Sequence, residues 1–198
     1  MPASDRRTQL LDVALNVFAQ KGFNGATTKE IAAAAGVTEA VIFRHFPTKQ
    51  ALYKAVLDSG IGCPHFEKWL AEIKACMDRN DDQGFFRAIA AAIIEGYRTD
   101  NRFERVLLFA ALEGNEQGLE HHKSFSIPII ELLRDYIVRR QRENALGQHR
   151  PIAILGAIAG MAHRYAMYTQ LFHFPAEVSD EEAAAAFTDI LLNGIKAR

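Results

Sequence analysis

Apolar residues along this chain recur at helical spacing, and no strand-like alternation stands out. Leu10, Ala14, Val17 and Phe18 repeat at i, i+4, i+7 and i+8, and Leu11 and Leu15 widen the stripe into a core-facing helix. Ser4 or Asp5 is placed to cap it, and Lys21-Gly22-Phe23 to end it, with Gly22 as the left-handed residue and Phe23 as its hydrophobic follower. Thr27 followed by Glu30 is a capping box that opens a second helix, on which Ile31, Ala32 and Ala35 turn inward until Gly36 stops it. Thr38 is a suitable cap for a third helix. There Ile42 and Phe46 share one face, while Glu39, Ala40, Phe43 and Arg44 point elsewhere and Pro47 ends the run. Thr48 caps a fourth helix carrying Ala51, Leu52, Ala55 and Val56.

Beyond an interruption at 60–64, the same periodicity predicts helices over 66–77, 83–97, 103–112 and 117–144, then from 151 to about 172, and a last one ending at 196. Pro128 lies inside the fourth of these. Its missing N–H and its ring predict a bend near Ser126. Pro151 suits a first helical turn, and Ser179 with Glu182 forms a second capping box. The expectation is an all-α protein. Three N-terminal helices form a small unit over 1–50, and a larger helical domain over 51–198 shares the fourth helix with it.

Composition refines this picture. Hydrophobic residues at 49% and charged residues at 24% are ordinary for a globular chain of 198 residues that buries a real core. Residues 1–57 hold seven basic and four acidic side chains, whereas the remainder holds 16 and 20, so cations concentrate at the N-terminal end of a chain of net charge −1. Two cysteines, Cys63 and Cys76, with no secretory signal at the start, give no support to a disulfide framework and fit a reducing cytoplasm. The longest apolar-or-small run, 151–162, is shorter than the roughly 18 residues a spanning helix needs, so no membrane segment is expected.

Catalytic patterns are missing from the sequence. His121 and His122 are adjacent and therefore diverge on a helix, unlike the i, i+4 pair that holds zinc. There is no G-x-S-x-G elbow, no glycine loop for phosphate and no C-x-x-C, and Glu113 and Glu116 are isolated acids. The expectation is a chain without catalytic residues, metal or cofactor. Cys63 and Cys76 have nothing near them in sequence that lowers a thiol pKa, which favours inert thiols.

Two short helices joined by a tight glycine turn, from Thr27 to Tyr53, are the layout of a DNA-reading helix-turn-helix. An α-helix fits the major groove, so the segment from Thr38 to Phe46 is the candidate reader. Arg44 is suited to a guanine or a phosphate, and Ala40 and Val41 to thymine methyls. Glu39 suits a cytosine amine or the repulsion of a wrong base, or else simply favours the helix dipole.

This run resembles the N-terminal domain of the TetR family of transcriptional regulators, whose pattern is T-T-x-x-x-I-A-x-x-A-G-V-S-x-G-T-L-Y-x-H-F-x-x-K-x-x-L. The chain supplies Thr27, Thr28, Ile31, Ala32, Ala35, Gly36, Val37, Thr38, His45, Phe46, Lys49 and Leu52. It departs at Ala40, Val41, Ile42 and Phe43, the last replacing a tyrosine whose hydroxyl commonly touches a phosphate. The resemblance implies contacts to the sugar-phosphate backbone from Thr27, Thr28, His45 and Lys49, with Lys29 beside them, and reading by the helix that begins at Thr38.

The resemblance further implies a homodimer on a palindromic DNA operator, formed by the last two helices. Ala153, Gly156, Gly160 and His163 would face the partner from one helix, and Phe187, Ile190 and Leu191 from the other. It also implies an effector pocket for an unidentified small molecule. Trp69, Phe86, Phe109 and Phe125 are candidate apolar walls, and Glu113, His122, Tyr165 and Tyr168 are candidate polar contacts. The function so implied is a cytoplasmic repressor released from DNA by its ligand. The alternative is a helical small-molecule-binding or enzymatic module in which the helix-turn-helix is only scaffold.

Overall fold

The computed structural model describes residues 3–60 and 65–195. The side chains of Ser4 and Asp5, where a cap is expected, Cys63, and the helix end at Lys196 lie outside what is described. Among the described residues there are ten helices and no strand: α1 (Ala3–Gly25), α2 (Thr28–Ala34), α3 (Glu39–His45), α4 (Lys49–Asp58), α5 (Phe66–Asp78), α6 (Asp82–Thr99), α7 (Arg102–Glu113), α8 (Glu116–Arg142), α9 (Pro151–Gln170) and α10 (Asp180–Ile195). The all-α expectation holds; α1 is kinked at Gly22 (φ 70°, ψ −179°), where the sequence predicts its end, but helical turns continue to Gly25. Two later helix starts fall beside their capping residues. Ser179 and Glu182 exchange hydrogen bonds, with Glu182 N donating to Ser179 Oγ at 3.2 Å and Ser179 N to Glu182 Oε2 at 2.8 Å. Thr48 Oγ1 accepts from Ala51 N at 3.0 Å. α8 continues through Pro128 as one helix.

The chain packs into two compact units. The first combines residues 1–64 with 100–125, so it takes in α1 to α4, α7 and the beginning of α8; the second combines 65–99 with 126–198. The first unit is built around Leu10, Phe18, Ile31, Ile42, Tyr53 and Val106, all essentially inaccessible. Its largest helix pairing is α1 with α7. α7 therefore joins the N-terminal helices despite entering some 40 residues after α4 ends, an association that periodicity has no means of expressing.

In the second unit α6 packs on α5, α9 and α10 around Phe85, Phe86, Ile94, Ile137, Ile158 and Ala162. A polar network braces α6 against α8: Tyr136 Oη donates to Asp82 Oδ1 at 2.6 Å, and Arg140 reaches both oxygens of the same carboxylate at 2.8 and 2.9 Å. No helix among the described residues is long and apolar enough to cross a membrane.

Candidate nucleic-acid interface

The turn between α2 and α3 closes on glycine. Gly36 has φ 66°, Gly36 N donates to Ala33 O at 3.1 Å and Val37 N to Ala32 O at 3.0 Å, the two crossed bonds of a Schellman ending. A Cβ at Gly36 would meet nothing within 4 Å, so this glycine is required for its backbone angle rather than for space. Val37 then packs against the core, setting the direction in which α3 leaves.

At the other end of α2 the capping box is complete. Thr27 Oγ1 accepts from Glu30 N at 3.2 Å, Glu30 Oε2 accepts from Thr27 N at 3.1 Å, and Lys21 Nζ adds an ion pair to Glu30 Oε1 at 2.6 Å. The Lys21 hydrogen bond, followed by those from Thr27, holds the Glu30 carboxyl below the ordinary glutamate range.

α3 is seven residues long, and its burial pattern separates two faces. Ile42 and Phe46 are 1% and 2% exposed, anchoring the helix to the core. On the opposite side Thr38, Ala40, Phe43 and Arg44 are exposed, Phe43 at 44%, while Glu39, Val41 and His45 are half-buried. Thr38 occupies the cap position, but its side chain makes no cap hydrogen bond. Phe46 adopts extended angles before Pro47, which ends the helix. A short helix held by two apolar residues, with a small, aromatic and cationic face turned to solvent, has the form of a groove-entering element.

Known proteins agree. Residues 10–56 match the family described as bacterial regulatory proteins, tetR family. Over 98% of its length the chain is 25% identical to the HTH-type transcriptional repressor NicS of Pseudomonas putida, covering 94% of that protein. The N-terminal segment of the chain, residues 10–56, therefore matches the DNA-binding domain of the TetR family. The chain is also 32% identical to the HTH-type transcriptional activator FasR of Mycolicibacterium smegmatis over 108 residues, which covers 54% of this chain and 47% of FasR. With FasR and two further relatives, YvkB of Bacillus subtilis and KstR2 of Rhodococcus jostii, the match spans less than half of the relative's own length. AibR, solved in complex with isovaleryl coenzyme A and operator DNA, shares the fold with a TM-score of 0.71 at 18% identity, over 93% of this chain and 97% of that one.

Against the TetR pattern, the expected contact residues divide into two groups. Lys29 and Arg44 are exposed and make no ion pair among the described residues, leaving both cations available. Other groups are already engaged. Thr27 serves the capping box, and Thr28 Oγ1 donates to Glu39 Oε1 at 2.6 Å, tying the start of α2 to the start of α3. Lys49 Nζ donates to Phe23 O at 2.9 Å and Ala26 O at 3.0 Å and lies 4.4 Å above the Phe23 ring, so this ammonium fastens the α1–α2 connection. His45 Nε2 is buried with no hydrogen-bond partner. The Thr28–Glu39 and Lys49 bonds escape a reading by local spacing, because their partners lie 11 and more than 20 residues away.

The residues expected to line an effector pocket fall in both units. Trp69, Phe86, Tyr165 and Tyr168 belong to the second unit, whereas Phe109, Glu113, His122 and Phe125 belong to the first. Phe86 is fully buried core. Trp69 Nε1 donates to Glu95 at 3.1 Å, and Tyr165 Oη donates to Val178 O at 2.9 Å in the α9–α10 connection. The Tyr168 ring stacks on Phe174 under the Arg164 guanidinium. Glu113 accepts from Phe23 N and Asn24 N at 3.1 and 3.2 Å, a backbone-capping role that sequence reasoning missed. An open cleft of about 810 Å³ lies in the second unit between α5, α6 and the start of α10; it is walled by residues such as Glu72, Arg87, Arg98 and Asp180 and by none of the eight expected ones.

Of the residues expected at a partner-facing surface, Ala153, Gly156, Gly160, His163 and Ile190 are exposed and Phe187 is half-buried. A Cβ on Gly156 or Gly160 would meet nothing within 4 Å. Leu191 is corrected: at 6% exposure it belongs to the core of its own unit, because the inward register of α10 runs through Ala183, Ala184 and Leu191.

Among the described residues no group of three or more His, Cys, Asp or Glu is placed to hold a metal. Cys76 is buried, and burial followed by nearby Asp81 pushes its thiol pKa up, which leaves less of the reactive thiolate.

Proposed function

We propose that this chain is a transcriptional repressor that reads duplex DNA through α3 as a homodimer and leaves its operator when a small molecule binds the helices C-terminal to residue 50. The supporting observation is the two-faced burial of α3, with Ile42 and Phe46 holding it in place while Thr38, Ala40, Phe43 and Arg44 face solvent. In this reading Arg44, Ala40 and Val41 address base edges, and Lys29 meets phosphate. Thr27, Thr28 and Lys49 set the position of the element. Two copies related by a twofold axis present two such helices to successive major grooves of a palindrome. The partner-facing surface is the exposed apolar side of α9 and α10 at Ala153, Gly156, Gly160 and Ile190. A protein of this kind acts where the chromosome is, in the cytoplasm.

Release follows if the effector binds one spacing of the two reading helices more tightly than the other. AibR, whose complex holds both isovaleryl coenzyme A and operator DNA, supports a coupled ligand and DNA in a protein of this fold. The test is selection of random duplexes on purified protein, followed by a salt titration on the enriched sequence. A palindromic motif and affinity that falls steeply with salt are expected. Enrichment of no motif would instead favour the helix-turn-helix as scaffold.

A further inference from the structure

Glu39 is the one acceptor-only side chain on α3, and it is not loose. Thr28 Oγ1 donates to its Oε1 at 2.6 Å, a short charge-assisted bond between partly buried groups. That bond fixes a side chain that otherwise loses rotamer freedom on contact with DNA. It also occupies the Thr28 hydroxyl hydrogen, which is then not available to a phosphate. Oε2 of Glu39 carries no hydrogen bond among the described residues, while on the neighbouring solvent-facing positions Ala40, Phe43 and Arg44 supply a methyl, a ring and a cation.

A fixed negative charge at the front of a helix that enters a polyanion is unfavourable unless a donor meets it. In the major groove the donors are exocyclic amines. Cytosine presents its N4 amine alone, whereas adenine sets the N7 acceptor beside its N6 amine, and guanine and thymine present acceptors where a carboxylate would be repelled. Resting on the DNA-reading function proposed above, we infer that the Thr28–Glu39 pair is a specificity device: Glu39 selects a cytosine in each half-site, and Thr28 positions it without touching DNA.

The experiment is random-duplex selection with the wild-type full chain, Glu39→Gln, Glu39→Ala and Thr28→Val, followed by affinity measurement on the wild-type site and on a site with that one base pair changed. Wild type is expected to enrich a motif with one invariant cytosine per half-site and to lose roughly 5- to 100-fold in affinity when it is replaced. Glu39→Gln keeps the Thr28 bond through its amide oxygen but presents an NH₂ group, so its preference moves from cytosine to a purine, whose N7 accepts. Glu39→Ala makes that position degenerate and leaves the rest of the motif intact. Thr28→Val keeps cytosine with weaker discrimination.

A wild-type motif with no invariant cytosine, or a cytosine preference that survives Glu39→Ala, overturns the inference while leaving the DNA-reading function standing. A Thr28→Val variant that weakens every sequence equally and keeps full discrimination overturns the positioning role of Thr28. Failure of the wild type to enrich any motif overturns the DNA-reading function itself, and this inference with it.

Discussion

A Cβ on Gly22 would lie 2.2 Å from Glu113 Oε1, so the side-chain space of residue 22 is filled by a carboxylate that arrives from α7. Gly22 has φ 70°, an angle that opposes any L side chain, and the carboxylate it admits caps the backbone N–H groups of Phe23 and Asn24. Gly22→Ala is expected to cost more than about 1 kcal/mol in urea denaturation, from strain and clash together. Because part of that clash is with Glu113, the double variant Gly22→Ala/Glu113→Ala should lose less than the sum of the two singles. Strict additivity would contradict the packing described.

Removing the Thr27 hydroxyl takes away the cap on the Glu30 amide. Thr27→Ala should lower stability by about 1 kcal/mol in thermal or chemical melts.

Glu30 supplies a pH signature. Hydrogen bonding from Lys21, and next from Thr27, lowers its folded-state pKa, so its contribution is fully present above the ordinary glutamate value and is lost as pH falls through the lowered one. Wild type should therefore exceed Glu30→Gln in stability at neutral pH, and the two melting curves should converge under acid conditions. Curves that stay parallel down to pH 2 would sink this account.

Lys49 separates anchoring from DNA contact. Lys49→Met keeps the alkyl stem but leaves Phe23 O and Ala26 O without the ammonium, at a cost of about 1–3 kcal/mol in stability. Its effect on the salt dependence of DNA binding should be negligible. Lys29→Ala, which removes an exposed cation, should reduce the slope of log K against log salt by about 1. Fluorescence anisotropy across a salt series reads both.

The neighbours Ile190 and Leu191 probe the assembly. Ile190 is 63% exposed and Leu191 is 6% exposed. Ile190→Glu should yield a folded monomer in sedimentation experiments, whereas Leu191→Glu should not fold. A dimer that persists in Ile190→Glu would remove α10 from the proposed interface.

Much of the fold is legible in the chain because helix boundaries are local events. The capping boxes at Thr27–Glu30 and Ser179–Glu182 and the glycine turn at Gly36 all act over three to five residues, and each appears as the spacing predicts. Leu191 shows the limit. Periodicity put an apolar stripe on α10 and could not tell which part of it faces its own core. Tyr165 and Glu113 show a second limit, since their polar atoms meet Val178 O and the Phe23 and Asn24 amides, partners that local spacing does not reveal.

The sequence by itself determined ten helical segments, the caps at Thr27, Thr48 and Ser179 and the helix-turn-helix that matches the TetR N-terminal domain, because backbone hydrogen bonding and side-chain period are set by near neighbours. Tertiary structure alone decided which polar groups remain free to meet another molecule. Thr28 turns to Glu39, Lys49 to Phe23 and Ala26, and Glu113 to the last turn of α1, 90 residues away, while Lys29 and Arg44 stay in solvent. Those pairings follow from how helices pack, and packing brings together atoms whose separation along the chain carries no signal.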